Sequence, residues 1–167
     1  MLALHYNKAV IEAGVDEAGR GCLAGPVVAA AVILPPHIEF DWYEALNDSK
    51  KLPETMRENL RVLIEKESLA WSVAMVDAPE IDRINILNAT YKAMHTAIDG
   101  LKVKPELLLI DGNRFKKYQT TEHKTIVKGD GLYLSIAAAS ILAKTHRDEL
   151  MKKLHAEFPQ YAWDRNK

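Results

Sequence analysis

Short apolar runs that lead into acidic residues recur along this 167-residue chain, and they restrict its fold more than any other feature. The first run, over residues 9–16, ends in Asp16, and Glu17 follows at once. The run ELLLIDG carries Asp111 near its end, and KTIVKGDG carries Asp130. Apolar runs of this length, bounded by glycine and charged residues, are typical of buried strands. The pattern therefore predicts three strands whose C-terminal ends bear carboxylates.

The remaining segments complete an α/β pattern. The β-branched run over 27–34 predicts a strand that forms a hairpin with the first, and the alternation over 69–76 predicts a third strand. Helices are expected from Pro53, over 78–100 as one continuous helix, and over 132–158. We expect a mixed five-stranded sheet flanked by helices, with its first three strands antiparallel. No internal boundary is apparent, so a single domain over residues 1–167 is predicted.

Composition excludes several classes of protein. With 22 basic and 23 acidic residues, the net charge of −1 gives no global sign of a polyanionic partner. The lone Cys22 permits no internal disulfide and fits a reducing compartment. No apolar run is long enough to cross a bilayer, and the N-terminus lacks a signal-peptide pattern. We expect a cytoplasmic protein without a membrane partner, and a monomer.

The three acidic strand ends predict a common site, because ligands of open α/β sheets bind at the carboxyl ends of the strands. Two carboxylates about 4 Å apart repel by roughly 1 kcal/mol in water and roughly 4 kcal/mol near a protein surface. An all-oxygen cluster suits Mg²⁺ or Mn²⁺ and disfavours zinc. Two such ions can hydrolyse a phosphodiester. The alternative, that each acid is a turn residue or helix cap, stays open on spacing alone.

The glycines after the first acids allow two interpretations. A dinucleotide-binding loop is excluded, because Gly19, Gly21 and Gly25 have the wrong spacing and because Pro26 and a strand, rather than a helix, follow them. Glycines next to a metal site instead let the main chain approach a substrate closely. A plain tight turn remains the alternative.

Six motifs carry a family resemblance. DEAGRG, LAGPVVAAAV, NDSKKL, LLLIDGN, VKGD and SIAAASILAKTHRDELM occur in this order over roughly residues 9–167. Together they resemble ribonuclease HII, the type 2 ribonuclease H. The resemblance implies a ribonuclease H-like fold and hydrolysis of the RNA strand of RNA–DNA hybrids. It also implies cleavage 5′ of single ribonucleotides in duplex DNA, leaving a 5′-phosphate and a 3′-hydroxyl.

The resemblance also assigns expected roles to individual residues. It implies that Mg²⁺ or Mn²⁺ is held by the acidic quartet: Asp16, Glu17, Asp111 and Asp130. It implies that the main chain of Gly19, Arg20 and Gly21 contacts the 2′-hydroxyl at the ribo–deoxyribo junction, with a phosphate contact from Arg20. Asp148 is expected to be structural. Further substrate contacts are expected from a loop, a turn and one face of the last helix: Ser49, Lys50, Lys128, Ser140 and Lys144.

Two departures from the family pattern are visible. Pro53 stands where family members often carry a Ser or Thr helix cap. The family usually continues past YAWDRNK with a segment whose Tyr stacks on the junction sugar, so a C-terminal segment is expected to be missing. Two alternatives remain open: another nuclease or integrase-like member of the fold, and a non-catalytic module that binds nucleic acid.

Overall fold

The computed structural model describes residues 2–37, 41–46, 49 and 52–165. In these residues one five-stranded sheet forms, with the strand order β3-β2-β1-β4-β5. Its strands are β1 (Glu12–Ala18), β2 (Val27–Ile33), β3 (Ala70–Val76), β4 (Leu107–Asp111) and β5 (Glu122–Ile126).

The sheet is mixed, as the sequence predicts. β1 pairs antiparallel with β2, and β2 pairs antiparallel with β3. β4 lies parallel to both β1 and β5. The expectation of three antiparallel strands followed by two parallel ones is confirmed, and β1 lies at the centre of the sheet.

Helices cover both faces of the sheet. The described α-helices are α1 (Glu54–Glu67), α2 (Ala78–Ile84), α3 (Ile86–Asp99) and α4 (Leu134–Glu157). Pro53 immediately precedes α1, as expected from its fixed φ. One apolar core joins α3 to the sheet, and a second joins α1 and α4 to it. None of the described helices is both long and apolar enough to span a membrane.

The prediction of one continuous helix over 78–100 is wrong. α2 ends at Ile84 and α3 begins at Ile86, because Asn85 between them adopts a left-handed φ of 67°. Its side-chain oxygen accepts a hydrogen bond of 3.1 Å from the backbone N–H of Asn88 and so caps α3. Asn tolerates this backbone conformation and competes well for helix-end N–H groups, which explains the break.

Two of the acidic strand ends also differ from the prediction. β1 starts at Glu12 and continues to Ala18, because its pairing with β2 extends to the last pair, Ala18 with Val28. Asp16 and Glu17 therefore lie within the strand. β5 ends at Ile126, and Asp130 lies beyond it in a short 3-10 turn.

Close packing places α4 above the central strand. A Cβ atom on Gly14 would lie 2.2 Å from the carbonyl carbon of Ser135, so only glycine lets α4 approach β1 this closely. The small residues Ala137, Ala138 and Ala139 that follow on α4 are fully buried as well. The middle of α4 is thereby held at the edge of the sheet where Asp16 lies.

Candidate active site

A cleft of about 350 Å³ opens at this edge of the sheet. Its lining includes the four carboxylates singled out in the sequence: Asp16, Glu17, Asp111 and Asp130. They come from β1, from the end of β4 and from the turn after β5. Residues separated by more than 100 positions thus supply carboxylates to one cavity.

Asp16 is the most buried of these acids, at 6% exposed. Val15 pairs with Ile110 across the parallel strands, so the next positions, Asp16 and Asp111, are neighbours. Burial raises the pKa of Asp16 well above its usual range, and the charges of Glu17 and Asp111 raise it further. The backbone N–H of Glu17 donates to Asp16 Oδ1 at 2.7 Å and partly offsets this. A carboxylate in such surroundings gains from a nearby cation.

The turn after β5 connects the other two acids. Lys128 adopts a left-handed φ of 57°, and the 3-10 turn Gly129–Gly131 follows it. The backbone N–H of Gly129 donates to Asp111 Oδ1 at 2.7 Å, which fixes the turn against the end of β4. A Cβ at Gly129 would lie 2.6 Å from Ile136 Cδ1, so glycine leaves room for this approach. The turn brings Asp130 into the cleft.

The donor chemistry of the cleft suits a hard divalent cation. Among the described residues, no three His, Cys, Asp or Glu side chains lie together so that they could hold a metal ion on their own. Mg²⁺ is seldom held by protein side chains alone, because it keeps several waters and binds through one or two carboxylates together with substrate phosphates. An open arrangement of carboxylates around the buried Asp16 therefore fits Mg²⁺ or Mn²⁺ that is completed by water and substrate.

Two buried serines form a hydrogen-bonded pair next to Asp16. The Ser140 side chain on α4 hydrogen-bonds to the Asp16 carboxylate, which lowers the pKa of Asp16 against the larger effects of burial and charge. Ser140 Oγ also lies 2.9 Å from Ser49 Oγ. Both serines line the cleft and are less than 10% exposed, at 6% and 3%. They orient the carboxylate as well as facing the cavity.

Asp148 lies one helical turn beyond Lys144 and is 4% exposed. Lys144 Nζ donates to Asp148 Oδ1 at 2.6 Å, and Arg57 Nη2 lies 3.4 Å from Asp148 Oδ2. Arg57 in turn donates to the carbonyl of Ser49 at 3.2 Å. Asp148 thus joins α4 to Arg57 of α1, which contacts the backbone of Ser49, while Lys144 itself lines the cleft.

The glycine-containing loop after β1 forms another wall of the cleft. Gly19, Arg20 and Gly21 all line the cavity. The backbone N–H of Cys22 donates to the carbonyl of Gly19 at 3.1 Å and closes a tight turn. The Arg20 side chain is 48% exposed, with Nη1 3.5 Å from Glu17 Oε1. A guanidinium at this position can contact both an acid and a substrate phosphate.

One of the expected substrate contacts lies apart from this arrangement. Lys128 is exposed and is absent from the described residues that line the cleft. It occupies the left-handed position of the turn, so its backbone conformation helps to shape the site. Lys50 lies outside the described residues, so its expected role stays a prediction.

Arg147 also lines the cleft, although no motif argument singles it out. It is 1% exposed and donates hydrogen bonds to the carbonyls of Ala24 and Pro26. Its position follows Ser140 and Lys144 at the spacing i, i+4, i+7, which places the three on one helix face. That spacing is the signal in the sequence that indicates Arg147.

A second cavity, of about 650 Å³, lies along α3. Three cationic residues line it, Arg83, Lys92 and Lys116, and its described lining contains no carboxylate. A cavity with this charge cannot hold a metal cation, so its larger size does not make it the hydrolytic site.

Comparison with known proteins gives consistent results. A sequence model of the ribonuclease HII family matches residues 13–167. Ribonuclease HII of Phocaeicola vulgatus is 63% identical over 167 residues, covering 100% of this chain and 82% of that protein. Ribonuclease HII of Bacteroides fragilis is 62% identical, with 100% and 82% covered.

Solved structures share the fold. Ribonuclease H2 from Pyrococcus horikoshii superposes with a TM-score of 0.74 at 28% identity, over 88% of this chain and 76% of that chain. RNase HII in the PCNA complex from Archaeoglobus fulgidus gives 0.73 at 29% identity, over 89% and 78%. Bst-RNase HIII in complex with Mn²⁺ gives 0.71 at 23% identity, over 89% and 55%, which shows a common fold. The chain therefore belongs to the ribonuclease HII family of hydrolytic endonucleases.

Proposed function

We propose that this chain hydrolyses the RNA strand of RNA–DNA hybrids and cuts 5′ of ribonucleotides embedded in duplex DNA, leaving a 5′-phosphate and a 3′-hydroxyl. The observation that carries the proposal is the buried Asp16 carboxylate beside Glu17 and Asp111 in one cleft. Family membership supports the ribonuclease H chemistry. The proposal describes one catalytic domain that acts as a cytoplasmic monomer.

Asp16, Glu17, Asp111 and Asp130 are proposed to hold Mg²⁺ or Mn²⁺. When bound, two such ions supply an activated water and stabilise the leaving 3′-oxygen. The carboxylates fix where the scissile phosphate lies. The Ser49–Ser140 pair keeps the Asp16 carboxylate oriented through the hydrogen bond from Ser140.

The remaining residues of the cleft are proposed to bind and select the substrate. The main chain of Gly19, Arg20 and Gly21 contacts the 2′-hydroxyl, the group that distinguishes RNA from DNA. Arg20 and Lys144 provide cationic groups for phosphates, and Lys144 is held in place by Asp148. Lys50 in the motif DSK and Lys128 in the motif VKGD are proposed as further phosphate contacts.

The test uses an end-labelled DNA duplex that contains one ribonucleotide, incubated with Mg²⁺ or Mn²⁺. We expect one cut 5′ of the ribonucleotide and no cleavage of the same duplex made entirely of DNA. Asp16→Asn serves as the inactive variant. Glu80→Gln, a change on α2 outside the cleft, serves as the matched control and is expected to cleave normally.

Other outcomes of this test contradict the proposal. Cleavage of the all-DNA duplex at a similar rate indicates a different nuclease of this fold. Binding of the ribonucleotide duplex without cleavage, in both metals, indicates a non-catalytic module that binds nucleic acid.

A further inference from the structure

Arg147 carries a buried positive charge, and the proposed chemistry assigns this residue no role. Its guanidinium is on α4, yet its hydrogen bonds reach the loop after β1: Nε donates to the carbonyl of Pro26 at 3.0 Å and Nη2 to that of Ala24 at 2.9 Å. Burying a guanidinium is unfavourable unless its donors are satisfied. These contacts therefore contribute to fixing the loop.

The loop is shaped around this side chain. A Cβ at Gly19 would lie 2.3 Å from Arg147 Nε, and a Cβ at Gly25 would lie 3.3 Å from Arg147 Nη2 and 2.6 Å from Met151 Sδ. Both glycines also have left-handed φ angles, 98° and 84°. Glycine is thus needed at both ends of the loop, for backbone conformation and for space.

Apolar packing does little to hold the same loop. All residues of the loop from Gly19 to Gly25 are described, and none of them is buried. Leu23, its largest apolar side chain, is fully exposed at 101%. Between β1 and the buried Pro26, this stretch therefore depends on its hydrogen bonds for a defined conformation.

We infer that Arg147 is a positioning residue that holds the loop of residues 19–25 in the conformation in which Gly19, Arg20 and Gly21 recognise the substrate's 2′-hydroxyl. The inference rests on the proposed function. The planar guanidinium can address two carbonyls at once in a fixed geometry, whereas a lysine ammonium is a single point donor. Arg147 thereby sets selectivity for the ribonucleotide without contacting the 2′-hydroxyl itself.

The experiment measures the selectivity of Arg147→Lys in binding. Affinities are measured by fluorescence anisotropy with Ca²⁺, for a DNA duplex with one ribonucleotide and for the same duplex made entirely of DNA. We expect the preference of the wild type for the ribonucleotide duplex to fall by about tenfold, the effect of losing about one hydrogen bond. The affinity for the all-DNA duplex is expected to stay within about twofold, since the phosphate contacts remain.

Thr145→Val is the matched control on the same helix. Thr145 is buried and donates to the carbonyl of Ile141 at 2.7 Å. Within the described part of the chain, its side chain forms no hydrogen bond to the loop. The substitution should lower the melting temperature without changing the preference. Gly25→Ala is the second test variant, because its Cβ would crowd Met151 and Arg147 and strain the backbone at the end of the loop, and it should reduce the preference as Arg147→Lys does.

All variants are compared below their melting temperatures, with near-ultraviolet circular dichroism to verify the fold. A folded Arg147→Lys protein with the preference of the wild type would overturn the inference. If Arg147→Lys does not fold, Gly25→Ala decides: reduced preference supports the inference and unchanged preference overturns it. A wild type with no preference overturns the proposed function itself, which is a distinct result.

Discussion

Asp16 and Glu80 are two carboxylates whose surroundings shift their pKa values in opposite directions. Burial and the charges of Glu17 and Asp111 raise the pKa of Asp16 well above its usual range. Hydrogen bonds from Arg83 and Lys92 lower the pKa of Glu80 to about 2. Asp16 lies in the cleft, whereas Glu80 lies on α2, none of whose side chains is fully buried.

The difference teaches how the site can be distinguished from the surface. Glu80 forms short ion pairs, 2.7 Å to Arg83 and 2.6 Å to Lys92, and these pairs favour the folded state without any ligand. Asp16 is placed among other acids, an arrangement that opposes folding until a cation arrives. Carboxylates that are electrostatically unfavourable in the folded protein indicate function more strongly than well-paired ones.

Asp16→Asn should have the largest effect on activity. We expect cleavage of the ribonucleotide duplex to fall by about 1,000-fold or more, equivalent to about 4 kcal/mol of transition-state stabilisation. Initial rates with Mn²⁺ and Mg²⁺ measure it, and Glu80→Gln should keep the rate of the wild type. Substantial cleavage by Asp16→Asn would show that Asp16 is not an essential ligand.

Binding of Mn²⁺ should stabilise the wild type. A ligand present at 100 times its dissociation constant raises the free energy of unfolding by about 2.7 kcal/mol. We expect the melting temperature to rise with Mn²⁺ in the wild type and in Glu80→Gln, and to rise much less in Asp16→Asn. An equal rise in all three proteins would contradict a metal site at Asp16.

Without metal, Asp16 should make stability depend on pH. Because its pKa is higher in the folded than in the unfolded protein, the folded state binds more protons between the ordinary Asp value of about 4 and the raised value. Stability therefore falls as the pH rises through this window. In EDTA, thermal unfolding should show Asp16→Asn at least as stable as the wild type at pH 7, with the advantage lost at low pH. A less stable variant at pH 7 would contradict this.

Glu80→Gln should have the smallest effect. The pKa of Glu80 is lowered from 4.5 to about 2, so its contribution to stability is present above about 4.5 and disappears as the pH falls through about 2. Exposed ion pairs contribute little and are screened by salt. We expect a melting temperature slightly below that of the wild type at pH 7, and this difference should shrink as added salt screens the ion pairs of the wild type. A large decrease would show that α2 matters more to the fold than its exposure indicates.

Local patterns predict most of the fold. The β-branched run of β2 and the apolar run of β4 are buried strands, and their order specifies the mixed sheet. The break at Asn85 is less predictable, because the apolar periodicity continues through it while one residue adopts a left-handed φ. A change of backbone conformation at a single position does not alter the apolar periodicity, so the periodicity cannot predict it.

The site is predictable only in part. The four carboxylates follow sequence motifs, and the structure places them in one cleft. The contacts that fix this cleft do not follow from the sequence. Ser49 and Ser140, which hydrogen-bond to each other, are 91 positions apart, and Arg147 is 123 positions from its acceptor Ala24. Such contacts form only when α4 packs on β1, and a local sequence pattern does not predict which distant residues then meet.

A crystal soaked in Mn²⁺ tests the central claim most directly, through its anomalous scattering. We predict manganese peaks among the carboxylates of Asp16, Glu17, Asp111 and Asp130, and none in the soaked Asp16→Asn crystal at the position that Asp16 contacts. The absence of a peak in this cleft of the wild type, with manganese bound elsewhere or nowhere, would contradict the account.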